Sequence, residues 1–261
     1  MFLAEITNRH PYRYTINTMQ IKQKSHHKDL GIIFSNDLHW YERYNNVTTK
    51  AYQTLGLLRR TFKLNSPVAK KHLYISLVRS QLLYCSQIWK PQFLKDISTL
   101  ERIQRRATKC ILNNYELSYK SHLQQLHLLP LMYIYELNDI LFLLKSLKSP
   151  SDNFDIRQFV QFTSNSTRSG SSYKLVHLKP ATSVHQNFYF TRIVRLWNYL
   201  PSIDLSLSIH LTKNHLTKYF WKKFNDDFNS DNICSFHVLC PCYRCSSQPI
   251  ITNFHPLSSY S

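Results

Sequence analysis

Residues Ser66 to Ile111 read SPVAKKHLYISLVRSQLLYCSQIWKPQFLKDISTLERIQRRATKCI, and this stretch decides how the chain is organised. Ser66 is a good N-cap, and Pro67 suits the first helical position, where its missing N–H costs no hydrogen bond. Val68, Tyr74, Ile75, Val78, Leu82, Cys85 and Trp89 follow at helical spacing and predict one apolar face. Pro91 ends that helix, because proline disfavours helical conformation in the residue before it. A second helix is expected beyond it, with Leu100, Ile103, Ala107, Cys110 and Ile111 on one face. Arg102, Arg105, Arg106 and Lys109 fall on another, again three and four residues apart. One element therefore turns an apolar side to a core and a cationic side elsewhere.

Outward from this pair the period stays helical in both directions. Val47, Ala51, Leu55 and Leu58 mark a helix that begins after Trp40 and ends near Arg59-Arg60. Downstream, Tyr119, Leu123 and Leu126 predict a short helix and Tyr133 to Leu147 a longer one. The region Leu128 to Leu147 is strongly apolar, but Pro130, Glu136, Asp139 and Lys145 interrupt it, so it reads as a buried helix and not a membrane span. Residues 1–40 alternate instead. Tyr12, Tyr14, Ile16, Met19 and Ile21 suggest strands turning at Asn17-Thr18, and Leu30 to Phe34 a further strand after the polar run Lys22 to Lys28. Pro150 to Gly170 is rich in Ser and Asn and reads as a linker. Beyond it come a short strand at Lys174 to Leu178 and helices at Phe188 to Leu200 and about Thr212 to Phe224. The expected architecture is mainly α. A small β fragment (1–40) precedes a helical bundle (41–149), and a linker (150–172) leads to a small helical extension (173–232) and a Cys-rich tail (233–261).

Composition narrows the function. Hydrophobic residues make up 43% of the 261, enough for a folded core. Only three glycines occur, Gly31, Gly56 and Gly170, so glycine-rich phosphate loops are excluded and with them Rossmann and P-loop chemistry. Lys and Arg number 33 against 15 Asp and Glu, a formal net charge of +18, which points to a polyanionic partner, nucleic acid before an anionic membrane. Arg59, Arg60, Lys70 and Lys71 lie near the cationic face in sequence. With Arg102, Arg105, Arg106 and Lys109 they form the expected phosphate-binding set, which would position a duplex without reading its sequence. A solvated helix face is the alternative reading of the same residues.

Cys234, Cys240, Cys242 and Cys245 crowd into the tail, with His237 and His255 as substitute ligands, and four thiolates suit a tetrahedral structural zinc. Free thiols are the alternative, since C-x-C-x-x-C is not a standard zinc-ribbon spacing. No histidine pairs with a Ser or Cys nucleophile, and no catalytic residue is assigned. Asp226-Asp227 reads as a helix end running into a turn, because no apolar strand flanks it and no third carboxylate is suitably placed upstream. The N-terminal residues MFLAEITNRHPYR do not form a signal peptide, and the cysteine usage fits a reducing compartment, so an intracellular chain, nuclear or cytoplasmic and not secreted, is expected.

An ordered set of segments resembles the reverse transcriptases of non-LTR retrotransposons of the jockey and chicken-repeat type. The set begins with Lys28-Asp29-Leu30-Gly31-Ile32 and Asp37-Leu38-His39-Trp40. Ala51-Tyr52 through Leu55-Gly56-Leu57-Leu58-Arg59-Arg60 follows, then Leu73-Tyr74 with Leu77-Val78-Arg79, and Tyr84 with Trp89-Lys90-Pro91. Leu100-Glu101-Arg102-Ile103-Gln104-Arg105-Arg106-Ala107, Leu126 with Leu129-Pro130-Leu131, and Thr167-Arg168-Ser169 come next. Phe190 through Arg192, Arg195-Leu196-Trp197-Asn198, Leu200-Pro201 and the Cys-Pro-Cys tail complete it. The resemblance implies a helical thumb that grips a template–primer duplex, preceded by the last strands of the palm and followed by a C-terminal extension. The family's aromatic-Ala-Asp-Asp motif, its other catalytic carboxylate and its endonuclease domain have no counterpart in this sequence. The expected function is thus a truncated, catalytically inactive fragment that keeps a thumb for RNA or RNA–DNA duplex. It would have no catalytic Mg and no membrane partner, and its complement would be an upstream palm and endonuclease portion. The alternative is a stand-alone helical interaction protein with a zinc-stabilised tail.

Overall fold

The structure is a computed structural model and describes residues 14–22, 24–62, 66–149, 155–163, 174–177, 180, 182–201 and 203–240. It is mainly helical, with two small antiparallel hairpins ahead of the helices. Strands β1 (Thr15–Ile16) and β2 (Met19–Gln20) pair across Asn17-Thr18, both at positive φ as a two-residue hairpin turn demands. The second hairpin corrects the expected strand at Leu30 to Phe34. Leu30 and Gly31 are its turn, at φ 45° and 80°, and β4 (Ile32–Ser35) pairs back onto β3 (His26–Asp29), which lies partly in the polar run Lys22 to Lys28. Alternation of apolar residues could not reveal β3, because all four of its residues are exposed. The turn is tied to the helical body, with Arg43 Nη1 donating to Gly31 O at 2.9 Å and Tyr84 OH donating to Leu30 O at 2.9 Å.

Helix α1 (Tyr41–Thr61) buries Tyr44, Val47, Ala51 and Leu55 along one stripe. Helix α2 (Pro67–Leu73) begins as the sequence predicts, with Ser66 Oγ accepting the Ala69 N–H and Pro67 at the first position. The expected continuous helix through Trp89 is not formed. The chain passes through a π-helical turn at Tyr74–Arg79 into α3 (Ser80–Leu83), breaks at Cys85 with φ 52°, and resumes as α4 (Ser86–Trp89). The wider π turn shifts the facing residues, so Tyr74, Val78 and Leu82 are buried while Val68 and Ile75 are exposed. The break at Cys85 lets Trp89 turn inward, where it meets Tyr44 and Tyr135 edge to face at 5.8 and 6.0 Å, and its indole N–H donates to Tyr84 O at 2.8 Å.

Helices α5 (Leu94–Leu112), α6 (Tyr119–Gln125) and α7 (Leu131–Lys148) complete the bundle. α7 is buried on nearly every side, as a helix without a polar face must be, and forms the axis of the fold. Among the described residues no helix is long and apolar enough to cross a membrane. The C-terminal segments rest on this axis. Helices α8 (Ser183–Asn187), α9 (Tyr189–Tyr199) and α10 (Ile209–Asp227) follow the linker region, and α9 and α10 both contact α7. Buried residues from Tyr44 to Val238 make one continuous hydrophobic core. Part of the linker region is anchored to it, because Ile156 and Val160 are buried around a 3-10 turn at Ile156–Gln158. The expected strand at Lys174 to Leu178 reduces to a single bridge between Leu175 and Phe162, bracketed by Asn198, which bonds both the N–H and the C=O of Leu175 at 2.9 and 2.8 Å.

Candidate nucleic-acid interface

Helix α5 lies against both α1 and α2, so the eight basic residues singled out from the sequence belong to three neighbouring helices. None is buried, and among the described residues none forms an ion pair. On α5 they spread over an arc. Arg102 is exposed, while Arg105 turns toward α6, its guanidinium 4.9 Å from the Tyr119 ring. Arg106 turns toward α1 and sits 5.4 Å from the Tyr52 ring. Lys109 is close enough to His122 for burial and its charge together to lower the imidazole pKa. At 3.6 residues per turn these four positions span an arc of roughly 100°.

Arg59 and Lys70 both line a groove of about 210 Å³ formed where α1 and α5 end and α2 begins. Helix C-termini carry partial negative charge, so Arg59, Arg60 and Lys109 also offset the dipoles of the last turns in which they sit. The arrangement therefore brings eight cations, none in an ion pair among the described residues, onto three helices of which α5 touches both others.

Two buried polar clusters, neither assigned from the sequence, hold these helices in place. In the first, Glu101 accepts from Tyr119 OH through Oε1 and from the Leu131 N–H through Oε2 at 3.1 Å, which caps the start of α7. Gln104 Nε2 donates to Leu129 O at 3.0 Å, and Tyr74 OH donates to Gln104 Oε1 at 3.0 Å. Arg79, almost wholly buried, also reaches Leu129 O at 3.2 Å. Burial pushes the Glu101 carboxyl up to about 7, against the lowering effect of Tyr119, Leu131, Arg79 and Arg105. Glu101, Gln104, Arg79 and Leu129-Pro130-Leu131 thus form one buried network that joins α5 to the start of α7.

The second cluster joins the C-terminal extension to the axis. Arg192 of α9 grips Asp139 of α7 through Nε to Oδ2 at 3.2 Å and Nη2 to Oδ1 at 3.3 Å, and donates to Gln87 O at 2.6 Å and Asn187 O at 2.9 Å. Glu136, one turn before Asp139, pairs with Lys90 at 3.3 Å and with His237 Nδ1 at 3.0 Å, and accepts the Val238 N–H at 2.7 Å. Burial would raise the Glu136 carboxyl, but Lys90, His237 and the Val238 N–H together hold it below its ordinary value. The readable signal was two acids three residues apart in an otherwise apolar helix, which demand buried partners.

Of the expected zinc ligands, Cys234 is half-buried and Cys240 buried, whereas Cys242, Cys245 and His255 lie outside the described residues. His237 is turned into the core toward Glu136, which removes its Nδ1 as a substitute ligand. Among the described residues no three His, Cys, Asp or Glu side chains form a group able to hold a metal ion. Asp227 ends α10, as expected, and bonds Lys223 at 2.8 Å. Comparison with protein-family models, with curated proteins and with solved structures returned no match.

Proposed function

We propose that this chain is the thumb and post-thumb portion of a reverse transcriptase of the non-LTR retrotransposon class, and that it grips the backbone of an RNA or RNA–DNA duplex without polymerising DNA itself. The observation that carries the reading is the basic surface of α1, α2 and α5, where eight cations that are not buried lie free of ion pairs among the described residues. Such a surface exchanges condensed counterions for Lys and Arg contacts. The guanidinium of Arg102 is unencumbered, and those of Arg105 and Arg106 rest on aromatic rings that hold them in place at low entropic cost.

The test is equilibrium binding of the full chain to an RNA–DNA duplex over a range of salt. The logarithm of affinity is expected to fall linearly with the logarithm of salt concentration, with a slope of several units. Replacing Arg102→Glu, Arg105→Gln and Arg106→Glu together is expected to weaken binding at low salt by at least about 100-fold and to flatten the slope by about one unit per lost contact. Arg105 is neutralised and not reversed, because a carboxylate there would face buried Glu101. Salt-independent binding, or none, would sink the proposal. Primer extension by the same chain is expected to be blank.

For the tail, the reading adds a structural zinc on Cys234, Cys240, Cys242 and Cys245, whose four thiolates suit a closed tetrahedral site. Metal analysis of the purified full chain is expected to find one zinc per chain, lost with the Cys234→Ser, Cys240→Ser variant; a metal-free chain that folds equally well overturns it.

A further inference from the structure

The groove between the ends of α1 and α5 has chemistry that backbone contact alone does not use. Its floor is apolar, with Leu55, Leu58 and Ile111 among its lining. Two aromatic rings stand at it, Phe62 43% and Tyr115 60% exposed, and neither contacts another ring among the described residues. Arg59 and Lys70 both belong to its lining. Asn113, the left-handed residue that closes α5 at φ 50°, brings an exposed amide whose polar atoms have no partner among the described residues. Both helices end here, so carbonyl acceptors of their last turns come to its edge.

We infer that this groove is a subsite for an unpaired nucleotide of the bound nucleic acid, taking the base between Phe62 and Tyr115 and its flanking phosphates on Arg59 and Lys70. Each part of the ligand has its complement. A base face is apolar and stacks on aromatic rings regardless of sequence. Its exocyclic amino groups donate to carbonyls and to the Asn113 amide oxygen. The phosphates on either side meet cations that are not committed to a carboxylate. A blunt duplex cannot use the site, because its bases are stacked and paired. The inference rests on the proposed function, since it concerns which form of nucleic acid that same basic flank prefers: a duplex with a single-stranded overhang.

Cys110 lines the groove and is half-buried, so its thiol reports occupancy. The full chain is titrated with three RNA–DNA duplexes, one blunt, one with a short single-stranded overhang and one whose overhang is abasic. Alkylation of Cys110 by a maleimide is followed in parallel by peptide mass mapping. The overhang is expected to bind about tenfold more tightly than its abasic counterpart and to protect Cys110, whereas the blunt duplex does neither. Phe62→Ala and Tyr115→Ala, both at half-exposed positions that the core does not need, are expected to erase the gain and leave blunt-duplex affinity unchanged. Equal binding of all three duplexes with Cys110 unprotected would overturn the subsite and leave the proposed function standing. Failure to bind any of them would overturn both. Protection of Cys110 by a glutamate- and tyrosine-rich peptide, but not by the overhang, would reassign the groove to an acidic protein.

Discussion

Replacing Glu101 by Ala is expected to destabilise the protein by on the order of 4 kcal/mol, seen as a drop in melting temperature of roughly 10 °C. The substitution removes the acceptor for Tyr119 OH and for the Leu131 N–H and strips the cap from α7, and the Tyr119 hydroxyl, which accepts from Gln104 Nε2, is left with no acceptor for its own proton, all in a region closed to water. Glu101→Gln is expected to behave differently, because the amide keeps the shape and one acceptor. Its effect depends on pH in a way that identifies the carboxyl. The folded-state value, about 7, lies above the ordinary 4.5, so the folded chain holds a proton that the unfolded chain has lost between those limits. The contribution of Glu101 is therefore fully present below pH 4.5 and declines by roughly 3 kcal/mol as pH rises through 7. Glu101→Gln lacks this decline, and its stability relative to the wild type is expected to rise across that window in urea titrations. A difference that stays flat with pH would show that Glu101 is ionised throughout.

Removing Asp139 is the second large effect. Asp139→Ala leaves the Arg192 guanidinium, among the described residues, with the carbonyls of Gln87 and Asn187 and the Tyr189 ring, none of them charged, and takes from Lys90 a carboxylate 3.9 Å away. Losing one member of a buried pair costs about 3–5 kcal/mol, because the remaining charge is desolvated without a partner. The damage is expected where the C-terminal extension meets α7, so amides of α9 should lose hydrogen-exchange protection before those of α1 and α5. Asp139→Asn combined with Arg192→Leu is expected to cost less than the sum of the two single changes, with a coupling of roughly 1–3 kcal/mol. Strict additivity would mean that the pair carries no mutual interaction. Glu136 contributes with the opposite sign to Glu101. Its carboxyl is held low, so its stabilisation is present above the ordinary carboxylate range and is lost as pH falls through its depressed folded value.

Much of the architecture was legible as periodicity. The buried stripe of α1 through Val47, Ala51 and Leu55, the cap at Ser66, the stop at Pro91 and the inward face of α5 all follow from spacing and from the chemistry of single residues. The π turn at Tyr74–Arg79 and the break at Cys85 were not, because nothing local forces them. They exist so that Tyr74 can reach Gln104 and Trp89 can seat against Tyr44 and Tyr135, contacts that span 30 to 46 positions of chain. Apolar alternation starts the strand at Leu30, whereas the structure starts it at Ile32 after a turn at Leu30-Gly31, for a related reason. Its outer strand carries no apolar pattern, and its turn is held by Arg43 and Tyr84 from elsewhere in the sequence.

The cationic set shows the same division. Charge and helical spacing alone marked Arg102, Arg105, Arg106 and Lys109 as one face of α5, since a helix places such residues together whatever surrounds it. Only packing decided that Arg105 and Arg106 rest on rings from different helices, that Arg59 and Lys70 line one groove, and that Glu101 on the same helix is buried and not a surface acid. Sequence dictates the local geometry because backbone hydrogen bonds act over three to five residues. Which side chains lose their water, and so which charges must find partners or protons, depends on neighbours brought together by the whole core.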